Sequence, residues 1–359
     1  MTGLYVHIPF CRRKCFYCDF FSVAYDSSLT DDYIKAIIRH AKIYKGEALA
    51  TIYIGGGTPS VLSENQIQNL LSALASYFNL SKLKEWTFEL NPESVTPGKL
   101  KVLKDYGVNR LSIGLQSAND SELSTIGRAH DFKMFESAFK EARKAGFQNI
   151  SLDLIYGLPG QSLKSWKDTL RKAISFKSEH ISLYPLSVEM NTPFYKNGIK
   201  TDDDLQRDMY EQAVKILAKA GYEHYEISNW AKNGKESLHN NSYWENKEYI
   251  ALGSGASGYY SGERYKIIPD IKKYILFAGK FPLKSESEVI TNEVRETESI
   301  ILGLRLLNKG VAEVKFKSKA HKEKLSELLK QKLLILQDAK VKLPESAVFV
   351  SNQILSEFI

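Results

Sequence analysis

The sequence predicts an α/β fold: an open, partial (β/α)6 barrel followed by a small α+β unit. Three observations point there. Apolar, strand-like runs alternate with amphipathic helical stretches six times between Tyr5 and Ala220, the pattern of a parallel sheet with right-handed crossovers. Polar residues collect at the C-terminal ends of those runs, the rim on which barrel enzymes assemble their sites. From about Ile290 the alternation stops and helices with short apolar runs take over. Six units are too few to close an eightfold barrel; a doubly wound open sheet is the alternative that alternation alone leaves open.

The elements follow in order. A short apolar run from Tyr5 makes the first strand, and Thr30-Asp-Asp-Tyr-Ile-Lys-Ala-Ile-Ile opens a helix with Thr30 as a candidate N-cap. Ala50–Ile54 is a buried strand entering the turn Gly55-Gly-Gly-Thr-Pro59. Ser63 caps a helix with Ile67, Leu70, Leu71 and Leu74 on one stripe. Strands from Trp86, Arg110, Ile150 and His180 precede helices at 96–106, 132–145, 163–176 and 203–220. The division expected is a barrel over 1–235, a connecting segment over 236–289 and a C-terminal domain over 290–359.

All three cysteines fall in Cys11-Arg-Arg-Lys-Cys15-Phe-Tyr-Cys18, just after the first strand. Three thiolates on one loop can hold three irons of a [4Fe–4S] cube and leave the fourth open to another ligand. Arg12, Arg13 and Lys14 favour the thiolate form. A disulfide leaves one cysteine odd, a Cys15–Cys18 redox pair ignores Cys11, and a zinc site recruiting His7 lacks the usual longer loop between ligand pairs. The cluster accounts for all three.

Composition narrows the class. Hydrophobic content of 43% and charged content of 25% suit a soluble globular protein. No stretch approaches the roughly 18 apolar residues of a membrane span, and too few residues precede Cys11 for a signal peptide. A reduced, cytoplasmic setting is expected. The net charge of +7 is spread; its densest run, Lys315 to Lys324, includes Glu323 and precedes Glu327, so a solvated helix face and no nucleic acid is the reading.

The rim residues carry their own chemistry. Gly55–Pro59 lacks the spacing and lysine of a P-loop; it is a tight turn, or a place where backbone carbonyls approach a ligand ammonium. Glu89 and Asp153 lie near the ends of otherwise apolar strands and need cationic or hydroxyl partners, either in a salt bridge or on a ligand. Gln116 and Arg128 sit at similar positions, and Arg128 suits a carboxylate. Gly253-Ser-Gly-Ala-Ser-Gly258 fits a dinucleotide pattern, but Tyr259-Tyr-Ser-Gly262 is poor helix material, so a glycine-rich strand end is expected.

The cysteine loop resembles the motif of the radical S-adenosylmethionine (SAM) superfamily. That resemblance implies that Cys11, Cys15 and Cys18 bind the cluster and that SAM chelates its fourth iron. It implies SAM contacts from Tyr5, the Tyr17 backbone, Gly56, Gly57, Thr58, Glu89, Gln116, Arg128 and Asp153. It also implies an electron donor such as flavodoxin or ferredoxin. Tyr5–Cys11, Ile54–Pro59, Phe88–Pro92, Gly114–Ser117, Asp153–Pro159 and the Leu252 region together resemble the oxygen-independent coproporphyrinogen III oxidase (HemN) group, over nearly the whole chain.

That group holds true oxidases and a heme-chaperone branch, HemW. The oxidase motif has a further cysteine two residues after the last ligand, where this chain has Phe20, and an N-terminal extension, where this chain reaches its first ligand at residue 11. His239-Asn-Asn-Ser-Tyr-Trp244 matches the branch's HNxxYW motif, with His239 a candidate heme ligand and Tyr243 and Trp244 candidates to pack on the macrocycle. The resemblance implies heme transfer to hemoproteins, some of them at the membrane. Its alternative is oxidative decarboxylation of coproporphyrinogen III to protoporphyrinogen IX. The tail from Ile290 resembles the family's winged-helix-like domain and is expected to cover the barrel's open side.

Overall fold

The computed structural model describes residues 2–280 and 283–359. Six strands and their helices alternate as expected: β1 (Thr2–Ile8), α1 (Ser27–Ala41), β2 (Leu49–Gly56), α2 (Glu64–Tyr77), β3 (Glu85–Leu90), α3 (Pro97–Asp105), β4 (Arg110–Gln116), α4 (Phe132–Lys144), β5 (Ile150–Tyr156), α5 (Leu163–Ser175), β6 (His180–Pro185) and α6 (Asp203–Lys219). Neighbouring strands from β1 to β6 pair in parallel and in chain order. A doubly wound sheet reverses its strand order part-way, so this unbroken order is that of a barrel.

The rest of the sheet extends both edges. β7 (Glu223–Glu226) and β8 (Asn229–Ala231) add antiparallel strands beyond β6. After α7 (Leu238–Trp244), β9 (Tyr249–Leu252) pairs in parallel with β1 on its other side, and β10 (Ser257–Tyr260), β11 (Glu263–Ile267) and β12 (Lys284–Val289) continue antiparallel. The sheet ends in β7 at one edge and β12 at the other, so the barrel is open. The glycine-rich stretch after β9 is a turn between strands, as its tyrosines predict. Gly253 has φ +107, and a Cβ there would lie 2.5 Å from the His7 carbonyl oxygen.

Side chains alternate across a strand. Leu4, Val6, Ile52, Ile54, Trp86, Phe88, Leu111, Ile113, Leu152, Leu154, Ile181 and Leu183 are buried in the main core. Their neighbours in sequence face the other way, into the barrel: Tyr5, Tyr53, Glu85, Thr87, Glu89, Arg110, Ser112, Ser151, Asp153, His180 and Ser182. The barrel therefore has an apolar outer face and a polar lumen. Helix starts follow local capping chemistry. Ser63 and Gln66 form a capping box on α2, while α1 starts earlier than expected because Asp26 caps it by accepting from Leu29; Thr30 lies inside the helix.

The C-terminal unit has its own core, in which Ile300 and Leu304 meet Val311, Phe316, Leu325, Leu328 and Val341. It contains α8 (Asn292–Gly303), α9 (Lys319–Lys330) and a three-stranded sheet of two- and three-residue strands. The apolar run Ala347–Val350 forms a 3-10 turn leading into a final short helix. The unit sits against β7 and α7: Arg305 pairs with Glu226 at 3.1 Å and stacks over Trp244 at 4.3 Å, and Asn308 reaches Glu236. No helix among the described residues is long and apolar enough to cross a membrane.

Trp166 on α5 is fully buried and donates its indole N–H to the Met209 carbonyl of α6 at 2.8 Å. Trp166→Phe keeps much of the volume but removes that hydrogen bond, so urea unfolding should show a loss of about 1 kcal/mol.

Candidate functional site

The cysteine loop leaves β1 and is pinned at both ends. Phe10–Cys11 pairs in parallel with Val23–Ala24, the Phe16 amide donates to the Ile126 carbonyl, and the Cys18 amide to the Cys15 carbonyl. Cys11 is buried and Cys15 and Cys18 are half-buried, all three as free thiols. They line one cavity of about 380 Å³ at the C-terminal rim of the barrel, together with Tyr17, Gly56, Gly57, Thr58, Glu89, Gln116, Arg128 and Asp153. Eleven of the thirteen residues singled out in the sequence thus meet in one place. Tyr5 and His239 do not line it.

Hydrogen bonds tie the rim into one network. Thr58 Oγ1 donates to Cys11 Sγ at 3.5 Å and accepts from Asn91 Nδ2 at 3.0 Å. Arg128 Nη1 donates to Cys15 Sγ at 3.7 Å, its Nη2 to Asn91 Oδ1 and the Gly114 carbonyl, and its Nε to His130. Most of the guanidinium's donors are thus engaged, so a bidentate grip on a ligand carboxylate requires exchanging one of these bonds. Arg12, Arg13 and Lys14 are exposed. Burial outweighs their charge, raising the Cys11 thiol and pushing Cys18 up to about 11. The cation in contact with a sulfur is Arg128.

Among the described residues no three His, Cys, Asp or Glu groups converge to hold a single metal ion, which disfavours a Cys3His zinc site. Three thiols spread around a shared cavity suit a four-iron cube, in which each thiolate takes a different iron. The residues fit the cluster.

The glycine turn earns its composition from packing. Gly56 has φ +116, and a Cβ there would lie 2.5 Å from the His7 ring; one on Gly57 would lie 3.0 Å from backbone atoms of Ile8 and Phe10. Bare backbone is what lets β2 press against the cysteine loop. Glu89 accepts from the Tyr53 hydroxyl at 2.7 Å and the Gly56 amide at 3.1 Å. Asp153 accepts from Ser112 at 2.8 Å and Ser151 at 3.2 Å. Both carboxylates use neutral donors in place of a salt bridge. Burial raises both, Glu89 to about 7. Gln116 closes β4 with a left-handed φ of 64° at a register shift, which turns it toward the cavity.

Tyr5 and His239 lie elsewhere. The Tyr5 hydroxyl bonds His7 Nδ1 at 2.9 Å, and His7 Nε2 bonds the Phe21 carbonyl, tying β1 to the end of the cysteine loop. His239 is fully buried on α7, with Nδ1 hydrogen-bonded to Thr51 at 2.8 Å and Nε2 to Tyr243 at 2.7 Å. Burial, reinforced by the nearby Arg110, lowers its imidazole to about 3. Both nitrogens are committed, so in this conformation it presents no free lone pair to an iron. Tyr243 and Trp244 line a second groove of about 440 Å³, with Lys247, Tyr249, Tyr259 and Arg264.

Comparison with known proteins places this architecture. The radical SAM superfamily model matches residues 5–173. The heme chaperone HemW of Lactococcus lactis is 39% identical over the whole of this chain and 97% of its own length, and that of Bacillus subtilis 38% over 100% and 99%. The chain belongs to the HemW branch of the radical SAM superfamily. In structure it matches the Escherichia coli coproporphyrinogen III oxidase HemN with a TM-score of 0.86, over 99% of this chain and 89% of that one; at 20% identity this speaks to the fold alone. The HemW relatives thus place the chain in the radical SAM superfamily, a family that implies SAM and a [4Fe–4S] cluster.

Sequence reasoning missed much of the cavity wall: Tyr53, Asn91, Arg110, Ser112, Ser182 and Tyr184. The signal was present as strict alternation, Arg110-Leu-Ser112-Ile and His180-Ile-Ser182-Leu-Tyr184, in which each second residue is polar.

Glu89 makes a pH prediction. Its folded value of about 7 lies above the ordinary 4.5, so its contribution to stability is full below about 4.5 and is lost as pH rises through 7. Glu89→Gln should remove that loss. Urea midpoints of ligand-free wild type and variant should diverge in the variant's favour between pH 4.5 and 7 and stay parallel above.

Proposed function

We propose that the chain is a heme chaperone that binds heme, holds a [4Fe–4S] cluster and SAM in the cysteine-lined cavity, and hands heme to hemoproteins. The observation that carries this is end-to-end likeness to HemW heme chaperones at 38–39% identity. Phe20, at the place of the oxidase group's additional cysteine, stands 62% exposed beside the cavity and has no thiol to offer.

Cys11, Cys15 and Cys18 would hold the cluster, which when bound supplies an electron to the SAM sulfonium. Glu89 and the Gly56–Thr58 backbone would receive the SAM amine, and Asp153 and Gln116 the ribose hydroxyls. Arg128 would take the SAM carboxylate after exchanging one of its bonds. Tyr5 and Tyr17 support this pocket from the strand and loop that carry the thiols. Glu89, raised to about 7, gains an ammonium partner on binding and releases its proton.

Heme is assigned to the groove lined by Tyr243, Trp244, Tyr249 and Tyr259, where aromatic faces suit a macrocycle and Lys247 and Arg264 suit its propionates. His239 acts through Tyr243, whose hydroxyl it holds. A reduced cytoplasmic setting, membrane recipients and a flavodoxin- or ferredoxin-type donor complete the reading.

Anaerobically reconstituted protein should bind about one heme per chain by Soret titration. Trp244→Ala should weaken that binding by up to about tenfold, with His239→Ala weaker in effect. With SAM, reductant and coproporphyrinogen III, chromatography should show no protoporphyrinogen; its formation would restore the oxidase.

A further inference from the structure

Within the cysteine loop, Cys15, Tyr17 and Cys18 line the cavity, but Phe16 does not. It packs instead against a small apolar cluster that includes Leu123, Ile126, Leu158 and Phe194. Its backbone is held from two sides. The Phe16 amide donates to the Ile126 carbonyl at 3.1 Å, and the Phe16 carbonyl accepts from the Phe194 amide at 3.0 Å. The Phe16 and Phe194 rings lie 6.3 Å apart between centroids. Gly127, at φ +76, sets bare backbone against the Phe16 ring; a Cβ there would lie 3.1 Å from it. Arg128 comes next and donates to Cys15 Sγ at 3.7 Å. Three consecutive residues after the short helix Asp120–Thr125 thus grip two consecutive residues of the loop.

We propose that Phe16 is a positioning residue for the cluster, an anchor that fixes the middle of the loop so that the Cys15 and Cys18 thiols stay on the cavity side. The start of the loop is tied separately, by the pairing of Phe10–Cys11 with Val23–Ala24. Cys15 and Cys18, two of the three ligands, depend on the tie at Phe16. Every bond and ring contact described for Phe16 is between protein groups, so none of them needs iron to form. Ordering a backbone costs conformational entropy at each residue, and order that the protein supplies lowers what the cluster must supply on binding. Phe16 acts on the metal through Cys15 and Cys18, its neighbours in the chain, as residues behind a ligand commonly do. This inference rests on the proposed cluster at the three cysteines.

Wild type, Phe16→Ala, Phe16→Leu and Trp166→Phe are reconstituted anaerobically, and iron release to the ferrous chelator bathophenanthroline disulfonate is followed with time. Hydrogen exchange of the peptide spanning 12–20 is measured on the same proteins without metal. Phe16→Ala should release iron about tenfold faster than wild type. Phe16→Leu, which keeps an apolar side chain on the cluster of Ile126 and Phe194, should fall between and serves if Phe16→Ala does not fold. Trp166→Phe, whose lost bond lies between two helices away from the loop, should keep the wild-type rate. Loop exchange should quicken in the Phe16 variants and not in Trp166→Phe. Equal iron release from wild type and both Phe16 variants overturns the proposal. Release from Trp166→Phe as fast as from Phe16→Ala also overturns it, since general loss of stability would then suffice. So does loop exchange in metal-free wild type as fast as in Phe16→Ala, because no anchor would then act without iron. Failure of wild type to take up iron at all would overturn the cluster assignment and this inference with it, an outcome distinct from equal release.

Discussion

The carboxylate of Glu89 lies inside the barrel on two neutral donors, the Tyr53 hydroxyl and the Gly56 amide, and much of the site is arranged around keeping it there. Accepting from Gly56 fixes the turn after β2. That turn must be glycine because His7 fills the space a Cβ would need, and His7 in turn holds Tyr5 and the Phe21 carbonyl at the far end of the cysteine loop. A single buried acid is therefore linked, through bare backbone and one imidazole, to the segment that carries the three thiols. Burial raises Glu89 to about 7, so the acid is partly protonated near neutral pH.

A second layer of order comes from the strands. Along β1 to β6 alternate residues pack outward into an apolar core, while most of the neighbours that face the lumen are polar or glycine. Side-chain fillers of an ordinary closed barrel are bulky and apolar; here the lumen holds acids, hydroxyls and one arginine. Such a lumen is costly to keep dry and empty. Most of its donors and acceptors pair among themselves, while Thr87 Oγ1 and Arg110 Nε are buried without a hydrogen-bond partner.

Much of this was legible in the chain. The strand–helix alternation, the cysteine spacing and the rim positions of Glu89, Gln116, Arg128 and Asp153 depend on local pattern, and local pattern survives folding. Arg110, Tyr53 and Ser182 were harder, because an isolated polar residue in a strand is unremarkable until six strands are seen to repeat it at the same phase. His239 was harder still. Its motif suggests a metal ligand, but Thr51, 188 positions earlier in the chain, claims one ring nitrogen. The contacts of the C-terminal unit were also hidden: it contributes no residue to the cavity and meets the barrel through Arg305 on Glu226 and Trp244 and through Glu298 on Arg264. Side-chain pairing across long separations decided both, and no short window contains it.

Cavity and groove both meet α7, Asn240 lining the first and Tyr243 and Trp244 the second. The cysteine-lined cavity and the aromatic groove thus share one short helix. The most direct test of the account is heme transfer itself. Heme-loaded protein would be mixed with increasing amounts of heme-depleted respiratory membranes, and the Soret change followed by stopped flow against apomyoglobin as a passive scavenger. A chaperone predicts that the rate rises with membrane acceptor and exceeds that of heme loss to the scavenger. A rate independent of acceptor and equal to passive loss would contradict it.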